Sequence, residues 1–202
     1  MKNKKILLTS FIALFAAIIC IGCFMRIPLG PVPIVLQNVL CILTALLLGS
    51  FWGALPTALF LLAGLIGLPV YSGASSGIAV WLGPTGGFLG GYLLGALASG
   101  LISGRPSIEE KTWSWKVGIR LLLGLICGMV IMYVPGIWHF ANWAQKLQKV
   151  PQDKSLLSYT LAACVIPYIP GDIIKMVVAY PIAIKLRPVL AQYLYEEKSD
   201  RS

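Results

Sequence analysis

Near the C-terminal end, Ile169-Pro170-Gly171-Asp172-Ile173-Ile174-Lys175 sets an acid and a base three residues apart at the opening of an apolar run. Pro170 has no N–H to leave unpaired and Gly171 lets a backbone approach closely, which predicts that the pair begins a helix. A spacing of three puts both side chains on one face. If the run crosses a membrane, ionisable groups in it are costly and belong to a cavity or pathway. An ionised carboxylate only accepts hydrogen bonds and an ammonium only donates them. Together they suit a small ligand carrying both N–H donors and acceptors.

Little else in the chain has reactive chemistry. Of the five cysteines, Cys20, Cys23, Cys41, Cys127 and Cys164, only the first two form a C-x-x-C, and they lie in an apolar stretch with no histidine nearby. They read as small buried residues, with no metal site and no disulfide framework. His139, the only histidine, sits in Trp138-His139-Phe140-Ala141-Asn142-Trp143 and reads as an interfacial residue among membrane-boundary aromatics. An intramembrane enzyme using Asp172 as acid or base is the remote alternative. It would lack a second carboxylate, a metal cluster or a nucleophile–base pair, so the chain is not read as an enzyme. No G-x-x-x-x-G-K-[ST] occurs, which excludes ATP hydrolysis by this chain.

The elements that must position the pair are membrane spans. The chain has 202 residues, 58% hydrophobic and 11% charged, with mean hydropathy +0.85, outside the range of a soluble globular domain. Apolar runs near the ~20 residues that cross a bilayer are placed at 6–25, 34–49, 51–68, 86–103, 115–140 and 171–186. The expectation is an all-α integral membrane protein, one domain over 1–202 with six helices. Gly49-Ser50 is a short break between the second and third, and Pro56 falls inside the third.

An inside start puts Lys2, Lys4, Lys5, Arg105, Lys111, Lys116, Lys185, Arg187, Lys198 and Arg201 at inner ends, against Arg26, Lys146, Lys149 and Lys154 outside. Ten against four satisfies the positive-inside rule, with both termini cytoplasmic. The net charge of +9 therefore has a membrane explanation, and nucleic-acid binding is excluded because no basic domain forms. Arg120, one turn into the fifth run, should snorkel to the inner surface. The basic start and following apolar stretch resemble a cleaved signal, but the stretch is long and more spans follow, so it is kept as a helix. Its Ala13-x-x-x-Ala17 offers a small-residue stripe for close packing of a partner helix.

Three prolines within Pro28-Leu29-Gly30-Pro31-Val32-Pro33 cannot continue a helix and predict a stiff extended segment on the outer side, followed by Gln37 and Asn38. Gln37 is a candidate for the ligand or for a helix–helix hydrogen bond. The long uncharged outer loop, 67–85, is rich in glycine and serine. Its backbone amides could face a ligand, and Tyr71 and Trp81 could cover an apolar ring. Gly87, Gly91, Gly95 and Ser99 then recur every fourth position, and Gly124-x-x-x-Gly128 follows in the fifth run; both read as packing stripes. The polar outer segment 145–158 carries no recognisable motif.

With this topology Asp172, Lys175, the proline segment and the loop converge on one outward-facing cavity. At this point Gly30-Pro31-Val32-Pro33-Ile34-x-Leu36-Gln37, Gly67-Leu68-Pro69-Val70, Gly83-Pro84-Thr85-Gly86-Gly87 and Pro170-Gly171-Asp172-x-x-Lys175 together resemble the BioY family. Its members are the biotin-specific substrate-binding (S) components of energy-coupling factor (ECF) transporters. The resemblance implies a six-helix S-component bundle in the cytoplasmic membrane that takes up biotin from outside. It also implies assembly with a transmembrane coupling protein and two ATPase subunits, which would be the only users of ATP; no cofactor is expected on this chain. Ala13 and Ala17 resemble the stripe by which such subunits dock.

The expected roles follow the biotin structure. Asp172 would accept ureido N–H groups, and Lys175 would meet the ureido oxygen or the valerate carboxylate. The amides of 72–77, Gln37 or Arg26 would supply the anion's remaining donors. Val70, Tyr71 and Trp81 would cover the apolar bicycle, with Ser75, Ser76, Gly83, Thr85 and Gly86 as further ligand contacts in and beside the loop. An S component for another vitamin, or a facilitator working alone or as a homo-oligomer, shares these features.

Overall fold

The computed structural model describes residues 2–28, 31–49, 51–111 and 114–195. Gly30 of the proline motif, Ser50, Lys198 and Arg201 lie outside the described residues, as do the side chains of Lys2 and Lys111. The helices are α1 (Lys2–Ile21), α2 (Gln37–Leu48), α3 (Leu55–Leu65), α4 (Ile78–Leu82), α5 (Gly86–Ser103), α6 (Trp115–Lys146), α7 (Leu156–Cys164) and α8 (Ile169–Leu194). Short 3-10 turns at Gly22–Phe24, Phe51–Ala54 and Ile108–Lys111 join them. The proline stretch does not run on as one extended segment: β1 (Arg26–Ile27) and β2 (Ile34–Val35) flank it and pair antiparallel, Arg26 opposite Val35, so the chain doubles back between them, with the prolines outside both strands.

Helix lengths revise the span boundaries. α6 has 32 residues, about 48 Å at ~1.5 Å per residue, which exceeds the ~30 Å hydrocarbon layer. α2, by contrast, has 12 residues, about 18 Å. Pro56 lies in the first turn of α3 and not in its interior, because the preceding residues Phe51–Ala54 form a tighter turn. Among the described residues three helices are long and apolar enough to cross a membrane, or four if α7 and α8, bent by 43° at a short break, make one span. α7 is an addition to the expected elements. Its start is capped by Ser155, whose Oγ accepts from the Ser158 N–H.

α2 is the axis of the bundle, packed against α1, α5, α6 and α8. Cys41, Ile42, Ala45, Leu46, Leu47 and Leu48 are all buried, so beyond its polar first turn this helix is mostly apolar and enclosed, as core helices are. The glycine stripes make the α5/α6 contact. A Cβ at Gly91 would lie 2.3 Å from the Met132 carbonyl, one at Gly95 2.5 Å from that of Gly128. One position further, Ser99 Oγ donates to the Gly124 carbonyl at 2.6 Å. Backbones this close leave no room for side chains between them.

At one end of the bundle a buried ionic cluster closes the helices. Arg187, expected at an inner surface, is 0% exposed. Its guanidinium donates to the Leu46, Ser103 and Gly104 carbonyls and to both Glu110 oxygens. These carbonyls sit at the C-terminal ends of α2 and α5, where helices leave acceptors unpaired and favour a cation. Arg120 joins the cluster at 3.0 Å from Glu110 Oε1, with its side chain 42% exposed. It is therefore part-exposed and ion-paired, a partner that the expectation of a snorkelling residue did not include.

Candidate functional site

At the other end of α2, away from Arg187, a cavity of about 370 Å³ opens between the α2 start, the 71–85 loop and the α7/α8 break. That volume falls in the range of small-molecule sites. Its walls are largely apolar and aromatic, with Val35, Phe88, Leu89, Tyr92, Met132 and Tyr168 prominent. The charged residues lining it are Arg26, Asp172 and Lys175.

Asp172 and Lys175 share one face, as their spacing requires, with Lys175 Nζ 2.8 Å from Asp172 Oδ1. Asp172 lies in the first turn of α8 and is 5% exposed. The bend between α7 and α8 brings this helix N-terminus, with its positive dipole end, to the cavity, where it favours the carboxylate's charge. Two neighbours the sequence reading did not single out complete the cluster. Asn38 Nδ2 donates to Asp172 Oδ1 at 2.9 Å, and Tyr133 Oη donates to Asp172 Oδ2.

Lys175 Nζ also donates to the Val35 carbonyl at 2.7 Å and to Asn38 Oδ1 at 3.2 Å. With the Asp172 bond, that uses all three ammonium hydrogens. Asp172 accepts from three donors, and a carboxylate has about four lone-pair positions. One acceptor position on the carboxylate therefore remains, on the Oδ2 side. The cluster is a pre-built polar head in an otherwise apolar chamber.

Other expected site residues have different employment. Gln37 lines the cavity, but its Nε2 donates to the Ile19 and Val70 carbonyls at 3.1 and 2.8 Å, which commits both amide hydrogens. It is a strut tying α1, α2 and the loop together, and Val70 serves as its acceptor without lining the cavity. Tyr71 lines the cavity from a fully buried position, its Oη donating to the Leu61 carbonyl at 2.6 Å. Burial pushes the Tyr71 phenol up, and the Trp81 N–H donated to its oxygen at 2.9 Å pulls the other way. Trp81 is therefore a brace behind Tyr71 and is not among the lining residues.

Ser75, Gly83 and Thr85 line the cavity, whereas Ser76 and Gly86 do not. At Gly86 a Cβ would lie 1.7 Å from the Trp81 carbonyl, so glycine there allows the tight turn out of α4. His139, expected only at an interface, has Nε2 2.8 Å from the Gly83 carbonyl and fastens this turn to α6. Several loop amides are also spent: those of Gly73, Ser75 and Gly77 donate to the Cys23, Tyr71 and Gly64 carbonyls. Ala13 and Ala17 are exposed on α1, alongside exposed Leu14, Ile18 and Ile21. Among the described residues no group of three or more His, Cys, Asp or Glu lies close enough to hold a metal ion.

Comparisons with known proteins agree with this architecture. The chain matches the model of the BioY family over residues 2–192. It is 38% identical over 187 residues to the biotin transporter BioY of Rhodobacter capsulatus, covering 91% of this chain and 93% of that one. It is 33% identical over 174 residues to the biotin transporter BioY of Thermotoga maritima, covering 86% and 92%. The crystal structure of the S-component for biotin from an ECF-type ABC transporter aligns with a TM-score of 0.73 at 29% identity, covering 93% of this chain and 94% of that chain.

Proposed function

This chain belongs to the BioY family, and from that premise we propose that it takes up biotin across the cytoplasmic membrane. Biotin enters the cavity from outside, its ureido head meeting Asp172 and Lys175 and its bicycle lying against the apolar wall. The observation that carries this reading is the unfilled acceptor position of Asp172 at the end of a 370 Å³ chamber. A ureido N–H is a donor of the right kind for it. The ureido oxygen takes over one of the protein contacts made by the Lys175 ammonium.

The topology follows the same reading: a single domain with six membrane crossings and both termini cytoplasmic. The short α2 and α3 cross with the help of the extended and 3-10 segments next to them. Energy comes from partners. The exposed Ala13 and Ala17 on α1 form the close-packing stripe for an ECF coupling protein, which carries the two ATPases. The chain itself brings no nucleotide site and needs no cofactor.

Titration of the purified protein with radiolabelled biotin, with thiamine and riboflavin as competitors, tests the ligand. Binding of biotin that neither competitor displaces supports the reading, and displacement by either one rejects it. Uptake in cells expressing this chain alone, compared with cells also given the coupling module, tests the partners. Equal uptake would establish a facilitator that works by itself.

A further inference from the structure

We propose that the ligand's carboxylate is held by the guanidinium of Arg26 together with the hydroxyl of Ser72, both residues of the cavity lining. This rests on the reading above that the ligand is a small acid with a neutral hydrogen-bonding head. Charge balance is the first argument. Of the three charged lining residues, Asp172 and Lys175 neutralise each other at 2.8 Å, which leaves Arg26 as an uncompensated positive charge on the chamber. A single carboxylate brings the total to zero. The Asp172 carboxylate would repel an anion placed beside it, which directs that anion away from the head site.

Arg26 and Ser72 also both have side-chain donors without a protein partner. Among the described residues Arg26 makes no ion pair and its guanidinium no hydrogen bond, although a guanidinium offers five N–H donors in a fork that matches a carboxylate. Ser72 lines the cavity, and its Oγ is buried with no hydrogen-bond partner. A buried hydroxyl without a partner is costly and calls for an explanation. The nearby Ser75 hydroxyl does not supply one, since it donates to the Ser72 carbonyl at 3.0 Å.

The loop places these groups side by side. Tyr71 and Ser75 pair across a tight turn in which Gly73 has φ +72° and Ala74 φ +58°. Because Gly73 lacks a side chain, the Arg26 guanidinium can lie directly on the turn: a Cβ there would be 2.3 Å from Cζ and Nη1. The Gly73 N–H donates to the Cys23 carbonyl at 3.0 Å, pinning the turn to the segment that carries Arg26. Several competing donors are occupied, among them Gln37 Nε2, Lys175 Nζ and the amides of Gly73, Ser75 and Gly77.

The test measures affinity of purified protein for biotin and for its uncharged methyl ester, in wild type, Arg26→Gln, Arg26→Lys and Ser72→Ala. A charge-assisted bidentate contact implies that wild type prefers the acid by about tenfold or more. Arg26→Gln should remove that preference by weakening the acid while the ester changes by less than about twofold, and Arg26→Lys should retain part of it. Ser72→Ala should weaken the acid by about threefold to tenfold with little effect on the ester. Equal binding of acid and ester by wild type, or equal weakening of both by Arg26→Gln, would overturn the carboxylate site while leaving biotin recognition intact. Failure of wild type to bind biotin at all would instead overturn the function, and this site with it.

Discussion

Asn38 Nδ2 donates to Asp172 Oδ1 at 2.9 Å, joining the first turn of α2 to the first turn of α8 across 134 positions of sequence. The same amide accepts at Oδ1 from its neighbour's N–H, Val39, at 2.9 Å and from Lys175 Nζ at 3.2 Å. One side chain thus holds both members of the ion pair in a fixed orientation. Asn38→Asp would turn the donor into an acceptor facing a carboxylate. Biotin affinity should fall by about 100-fold, whereas Asn38→Ser should lose about tenfold. Titration calorimetry on the two variants would settle this; wild-type affinity in Asn38→Asp would remove Asn38 from the site.

Asp172 and Lys175 should be coupled in stability as well as in binding. Lys175→Met leaves a 5% exposed carboxylate without its cation, and breaking such a pair costs about 3–5 kcal/mol. Neutralising both, as Asp172→Asn with Lys175→Met, should cost less than Lys175→Met alone. Both proteins should lose biotin binding by about 100-fold or more, since the head contacts carry charge. Thermal unfolding of the two single variants and the double variant in detergent gives the cycle. Strictly additive losses would show that the pair is not coupled.

Glu110 should matter to the fold and not to the ligand. It compensates Arg187, which is 0% exposed, so Glu110→Ala should destabilise by about 3–5 kcal/mol. Arg187→Lys should be costly too, because an ammonium cannot reproduce a guanidinium's spread of donors over three carbonyls and a carboxylate. Arg120→Ala, at the exposed edge of the cluster, should cost no more than ~1 kcal/mol. Unfolding midpoints rank the three; biotin affinity of whatever remains folded should stay near wild type.

The α5/α6 contact predicts opposite responses at adjacent glycines. Gly91→Ala places a Cβ 2.3 Å from the Met132 carbonyl and should destabilise by about 1–3 kcal/mol, as overpacking does. Gly90→Ala meets only Trp81, at 3.9 Å, and should be neutral or stabilising by up to ~1 kcal/mol through helix propensity. A pair of thermal melts is sufficient, and equal destabilisation by both would contradict the packing.

Much of this protein is written in local pattern. The composition requires a bilayer, and the glycine and serine stripes on α5 and α6 mark where two backbones must touch. The PGDxxK segment commits an acid and a base to one face of a helix start. Each of these depends on chain periodicity and residue type within a few turns, so each is legible without knowing what lies opposite. Which residues meet that pair is not. Gln37 and Asn38 are adjacent and equally polar, but successive positions on a helix point about 100° apart. Only the packing of α2 turns Asn38 toward Asp172 and Gln37 toward the Ile19 and Val70 carbonyls.

Tertiary structure likewise decided that Tyr133, 39 positions before Asp172, reaches its carboxylate. It set Trp81 behind Tyr71 and away from the ligand chamber, and it drew Arg187 from an expected surface into full burial. The physical reason is the same in each case. A polar side chain in an apolar setting must find a partner, but its own sequence neighbourhood does not say which distant backbone or side chain will be within 3 Å once the helices pack.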